Sequence, residues 1–373
     1  MKKLVKVGKK LKAKISKLQY FFLIPNLMYG KAIGITSGIV VRKVGADAWT
    51  AMLIGFIIGT LFVMLSSILA IRFMDKNIVE FTKELIGPRT SFFLGVVLSL
   101  YFIISFTISC NVLTLHLKEY LLPQTPFIVL CILYIVLCTY GAFLGIEPII
   151  RFSFFGFIMT MLINITMIAG TINDFKLENL RPIMDRGIVA NIMASPYVFI
   201  DISMVILSIF IIYPIISDKK DINKITFWGL ILGIVSVIIW PIFETGVLGA
   251  DVMKQFVVVC MQQVRSAELT QYLPRYELIM VSFFVWGLFV QSVVMLYCSM
   301  YTMKQVTKIK NNLLILLPLS LVSTVITYYQ GRDHNVYINF LSGIWTPISF
   351  GLAILVPLIL FVCMIFRKNR VNR

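Results

Sequence analysis

Ten apolar runs, each long enough to cross a bilayer as a helix, constrain this chain more than any other feature. A helix rises about 1.5 Å per residue, so roughly 20 residues span a hydrocarbon core about 30 Å thick. The runs cover residues 18–41, 46–71, 91–115, 126–144, 148–172, 196–217, 225–247, 278–300, 312–328 and 343–366. Between them lie short polar segments, none long enough for a soluble domain. The expected architecture is an all-α membrane protein of about ten transmembrane helices. It comprises a basic tail at 1–17, a ten-span body at 18–366 and a second basic tail at 367–373.

Composition supports lipid as the solvent. Hydrophobic residues make up 59% of the 373 and charged residues only 14%, where a soluble chain carries roughly a quarter. The formal charge is +17. In a soluble protein such a balance would suggest nucleic acid. Here the charges flank apolar runs, which is the pattern of topology signals beside lipid head groups, and no nucleic-acid partner is expected. With the first tail inside, 23 of the 34 Lys and Arg fall on cytoplasmic segments and 10 on outer ones, with Lys31 inside a span. Both ends are therefore expected in the cytoplasm. The tail holds eight lysines before the first run. That run is too long for a signal peptide and lacks a small-x-small cleavage site, so it reads as a retained span.

Chemistry-bearing patterns are sparse. The six cysteines (Cys110, Cys131, Cys138, Cys260, Cys298 and Cys363) form no CxxC pair and read as small core residues. His116 and His334 sit at different helix ends. There is no Walker A loop, HExxH, GxSxG or dinucleotide fingerprint. No catalytic residue, metal site or cofactor is expected, and the chain does not read as an enzyme.

The first span is unusual. Gly30, Gly34 and Gly38 stand on one helix face with Lys31 among them. Two readings fit: a small-xxx-small packing face, or a helix broken near Gly30–Gly34 whose freed backbone groups line a ligand site. Lys31 costs about 2.5–3.5 kcal/mol at such depth, unless it snorkels or finds a partner. Asp201, in the sixth span, is read as the only acid deep in any run. Counted from the inner helix ends, the two lie at about 20 Å and about 22 Å. Pairing is one expectation, and joint exposure to a polar cavity is another. The sixth run opens with Ser195-Pro196-Tyr197. Proline there fits either an ordinary helix start or a broken span. Interruptions at matching places in two five-span halves point to a mid-membrane site. The outer connections 173–195 and 248–277 are the longest, and the stretch 256–261 in the second reads as an interfacial or re-entrant helix.

Three segments carry a family likeness. Val44-Gly45-Ala46-Asp47-Ala48-Trp49 follows the glycine-containing first span. Asn179-Leu180-Arg181-Pro182-Ile183-Met184 precedes the sixth. Arg265 and Leu273-Pro274-Arg275-Tyr276-Glu277 run into Phe283-Phe284-Val285-Trp286. In order and spacing the chain resembles the spore germination receptor B-subunit family, within the amino acid–polyamine–organocation transporter superfamily. Ser37 stands where the family pattern has proline, and Lys31 where many relatives have a small residue.

The resemblance implies a five-plus-five inverted repeat (LeuT-like) with broken first and sixth helices. It implies a subunit in the inner membrane of the spore that binds a small germinant, often an amino acid. The expected protein partners are the A and C subunits of the receptor. The site is expected at Tyr29, Gly30, Lys31 and Gly34, with Tyr197 and Asp201 opposite. Gln291 and Tyr297 on the eighth span either contribute side chains or simply pack. A secondary amino acid or polyamine transporter, and an ion-conducting subunit, share the fold and stay open.

Overall fold

The computed structural model describes residues 15–73, 76–266 and 276–371. Most of the basic first tail and the Leu273-Pro274-Arg275 segment lie outside the described residues.

Among the described residues, nine helical runs are long and apolar enough to cross a membrane. The first, Lys17–Arg72, has 56 residues, about 84 Å if straight, which no bilayer matches. It is divided at Gly45, whose φ of 66° ends one helix in a conformation that suits glycine. The first span is thus α1 (Lys17–Lys31) and α2 (Ser37–Val44), and the second is α3 (Ala48–Arg72). A short α4 (Ile78–Leu85) precedes the third, α5 (Pro88–His116). The fourth and fifth are α6 (Phe127–Leu144) and α7 (Ile146–Thr171). The sixth is α8 (Gly187–Ala194) with α9 (Phe199–Ile212), and the seventh is α10 (Ile222–Leu248). Two short helices, α11 (Ala250–Met253) and α12 (Val259–Arg265), lead to the eighth, α13 (Tyr276–Thr307). The ninth is α14 (Leu313–Gly331), and α15 (His334–Asn339) with α16 (Thr346–Val371) forms the tenth. Every span expected from hydropathy is present. The helix of the tenth continues through most of the segment read as a second tail.

The sixth span starts earlier than expected. Residues 187–194, assigned from sequence to the preceding loop, are helical. Pro196 cannot donate to the carbonyl of Ile192, but the Ser195 hydroxyl does so at 2.8 Å. Helix therefore persists up to one 3₁₀ turn, Ser195–Val198, and Pro196 lies inside the span rather than opening it.

Packing separates a centre from a lipid-facing rim. All of α9 is buried. On α14, by contrast, Leu314, Leu317, Leu321, Val322 and Val325 are exposed, as a membrane rim requires. Helices approach α1 and the sixth span closely where a neighbour carries small residues four apart. A Cβ on Gly55 of α3 would lie 2.8 Å from the Ser195 carbonyl oxygen, and one on Gly59 2.5 Å from Ile202. On α10, Gly229 and Gly233 stand equally close to Ile24 and Met28 of α1.

Candidate ligand site at the interrupted spans

Of the three glycines in the first span, Gly34 makes the break. Ile33 is extended (φ −79°, ψ 133°) and Gly34 has φ 74°, ψ −54°. The other two are packing positions. A Cβ on Gly30 would meet Gln291 Oε1 at 2.1 Å and Leu288 at 2.4 Å, and one on Gly38 would meet Val259 at 3.2 Å. The packing reading therefore holds at Gly30 and Gly38, and the break falls at Gly34.

The expected break of the sixth helix is not found: its 3₁₀ turn at Ser195–Val198 keeps helical dihedrals on both sides. Beside the break in the first span, the first and sixth spans are tied by charge. Lys31 Nζ lies 3.0 Å from Asp201 Oδ1, outside hydrogen-bonding alignment, and donates to Oδ2 at 3.2 Å. Thr36, two residues past the break, accepts from Lys31 and donates to Asp201 Oδ2 at 2.8 Å. Both charged side chains are essentially solvent-free. The depth match read from sequence thus corresponds to a direct contact. Burial of either charge alone would be prohibitive, whereas a paired and hydrogen-bonded couple is tolerated.

The remaining predicted residues divide. The Tyr29 hydroxyl donates to Asn164 Oδ1 on α7 at 2.7 Å, and Trp240 of α10 donates to the same two oxygens at 2.9 and 2.8 Å. Tyr29 therefore anchors the first span to the fifth and seventh. Gln291 donates to the Leu27 carbonyl at 3.0 Å, while its Oε1 is buried without a partner against Gly30. Tyr197 lies half-buried in the 3₁₀ turn of the sixth span. Tyr297 is elsewhere. It lines a cleft of about 530 Å³ with the α6–α7 turn, including Glu147 and Arg151. Six residues beyond Gln291 on the same helix, it sits about 9 Å further along the axis, which removes it from the break.

Sequence reasoning missed a second buried acid. Glu244 of α10 is fully buried, and it faces the Gly34 backbone, Ser37 and Cys260. Asp201 is therefore not alone as an intramembrane acid. An acid in the apolar stretch Trp240-Pro241-Ile242-Phe243-Glu244 was the signal available. It lies only a few residues from the end of the seventh run, so depth counted along the helix does not single it out.

The site is closed from both ends. Where α1 begins, Ile15 pairs with the segment after the sixth span (Ile15 N to Ile215 O 3.1 Å, Ser217 N to Ile15 O 3.0 Å), and Lys17 bridges Asp218. At the opposite end, α12 folds back onto the break with Val259, Cys260, Met261, Gln263 and Val264 buried. This is the re-entrant alternative for the stretch 256–261, shifted a few residues along. Arg42 of α2 holds the approach to α12, donating to the carbonyls of Lys254 at 3.0 Å and Phe256 at 2.6 Å.

The Lys17 ammonium, by hydrogen bond and charge, holds the exposed Asp218 carboxyl below its usual range. A depressed folded-state value stabilises the protein above the free carboxylate's range, and the effect disappears as pH falls through the depressed value. Wild type should therefore unfold at slightly higher temperature than Asp218→Asn near neutral pH. The gap should close on acidification, as comparison of the two Tm–pH curves would show. A gap that persists in acid would count against the latch.

The family described as spore germination protein matches residues 14–335. The chain belongs to this family. Spore germination protein KB of Bacillus subtilis (strain 168) is 24% identical over 371 residues, covering 96% of each chain. Spore germination protein A2 of the same organism is 22% identical over 270 residues, 71% of this chain and 73% of the relative.

Two solved structures share the fold of this family member. One is Mhp1, a nucleobase-cation-symport-1 family transporter, closed with bromovinylhydantoin bound. Its TM-score is 0.66 at 14% identity, covering 92% of this chain and 79% of Mhp1. The other is MhsT in complex with L-phenylalanine, with TM-score 0.67 at 12% identity, covering 94% and 99%. The protein is an integral membrane protein, permease-like and germination-related, with the LeuT-like fold of transporters.

Proposed function

We propose that this chain is the germinant-sensing subunit of a spore germination receptor, seated in the spore inner membrane with both ends cytoplasmic. It binds a small nutrient of amino acid type between the first and sixth spans, at the break in the first. The observation that carries the reading is the break at Ile33–Gly34. It lies beside a buried ion pair joining the first and sixth spans, under a helix closing it from one side. A broken helix presents backbone N–H groups suited to a carboxylate and carbonyls suited to an ammonium. A ligand that binds the closed arrangement more tightly than an open one shifts the equilibrium between them. The A and C subunits are the proposed recipients of that shift.

Purified protein should gain thermal stability from one class among free amino acids, nucleosides and sugars. Gln291→Met, which removes the unpartnered amide oxygen at Gly30 while keeping the bulk, should lose that gain. Stabilisation that survives Gln291→Met, or none from any compound even with the A and C subunits present, would overturn the assignment. The likeness to two transporters favours a second reading, secondary transport. In vesicles containing the chain alone, transport predicts accumulation of the stabilising compound, whereas sensing predicts binding without net uptake.

A further inference from the structure

The polar groups around the break do not balance. Lys31 and Asp201 neutralise one another, and Thr36 hydrogen-bonds to both. Glu244 has no such arrangement. Among the described residues neither of its carboxylate oxygens has a hydrogen-bond partner, although the side chain is fully buried. Its nearest donors are the Ser37 hydroxyl and the Gly34 backbone N–H, neither in hydrogen-bonding alignment. The hydroxyl donates instead to the Gly34 carbonyl at 3.1 Å, and Cys260 supplies only a weak donor. A buried carboxylate so poorly satisfied is among the most costly groups a membrane interior can hold, and such residues mark ligand or ion sites. A core position would more economically be apolar.

The location adds chemistry. Glu244 faces the residue whose backbone breaks the first span, and α12 lies over the same point through Cys260. A carboxylate only accepts hydrogen bonds, so its complement is a donor carrying positive charge. With the nearby pair neutral, an ionised Glu244 leaves one negative charge for a ligand to balance.

We propose that Glu244 is the acceptor for a primary ammonium group of the ligand bound at the break. The inference rests on the reading of that break as a ligand site. It assigns the charge recognition to the seventh span, and it makes Asp201 a partner of Lys31 rather than a contact for the ligand.

The test uses the full chain, purified in detergent, with methylammonium chloride as probe and sodium chloride at equal ionic strength as control. Methylammonium should raise the Tm of wild type by about 2 °C or more near saturation, and Glu244→Gln, which keeps shape and removes charge, should abolish the rise. Asp201→Asn is not used, because it would strand Lys31. An equal rise in Glu244→Gln would overturn the proposal. So would the absence of any rise in wild type. Should Glu244→Gln fail to purify folded, tetramethylammonium decides on wild type alone: it has no N–H donor, and a rise equal to that with methylammonium would overturn the proposal. Failure of this inference is distinguishable from failure of the ligand-site reading. An uncharged sugar that stabilises wild type but not Gln291→Met would uphold the site while excluding an ammonium ligand.

Discussion

Asp201→Leu, with Lys31 left in place, should be among the most damaging single substitutions in this protein, costing about 3–5 kcal/mol. The reason is not the loss of a favourable contact. An ammonium would be left in a solvent-free position with only the Thr36 hydroxyl beside it. Lys31→Met alone should damage the protein by a similar amount, because Asp201 would keep only the Thr36 donor. The double variant Lys31→Met/Asp201→Leu should recover most of the lost stability, since an apolar pair of similar volume is often neutral or better than a buried ion pair. Thermal or denaturant unfolding of all four proteins gives the coupling energy directly. Additive losses would show that the two charges are stabilised separately and would sink the pair. Stability can return without function. If the pair links the motion of the first and sixth spans, the restored double variant should be stable but indifferent to ligand.

Gly34→Ala carries the second large effect. Two independent costs meet at one residue. The backbone at φ 74°, ψ −54° is a conformation that L residues rarely adopt. The added Cβ would stand 2.4 Å from Cys260 Sγ and 3.0 Å from the Cys260 backbone nitrogen. Backbone strain and overpacking each amount to about 1–3 kcal/mol, so the sum is about 2–6 kcal/mol. Cys260→Ala should relieve part of this by removing the sulfur, leaving the backbone strain untouched. Gly38→Ala is the control within the same span: its conformation is ordinary helix, and its nearest neighbour would be Val259 at 3.2 Å. Its Tm should fall far less. Equal losses at Gly34 and Gly38 would mean that the first span is a continuous helix in the folded protein.

These two predictions rest on residues of unequal visibility in the sequence. Lys31 and Asp201 were legible as a pair because each is a lone charge in a long apolar run. Axial depth along a helix can be counted from its ends. Gly30, Gly34 and Gly38 were visible as a group but not as individuals. Periodicity places all three on one face, and which of them bends depends on what presses on it. Gln291 and Leu288 fill the space at Gly30, whereas Cys260 of α12 meets Gly34, and no local pattern around residue 34 announces residue 260. Pro196 misled in the other direction, because the Ser195 hydroxyl supports helix where proline withholds a donor.

What the sequence by itself determined is the order and approximate limits of the apolar helices, the family, and the stretch of the first span within which its break falls. Each depends on properties carried within one segment: hydropathy, length, and a charge or breaker inside an apolar run. Tertiary structure alone decided which polar groups are truly inside. Glu244 lies near a helix end and would be interfacial if α10 stood alone. It is buried because chain from beyond α10 folds back over the break. Tyr297 stands on the same helix as Gln291 but lines a cleft beyond the α6–α7 turn. Burial and pairing are relations between segments far apart in the chain, and only their packing fixes them.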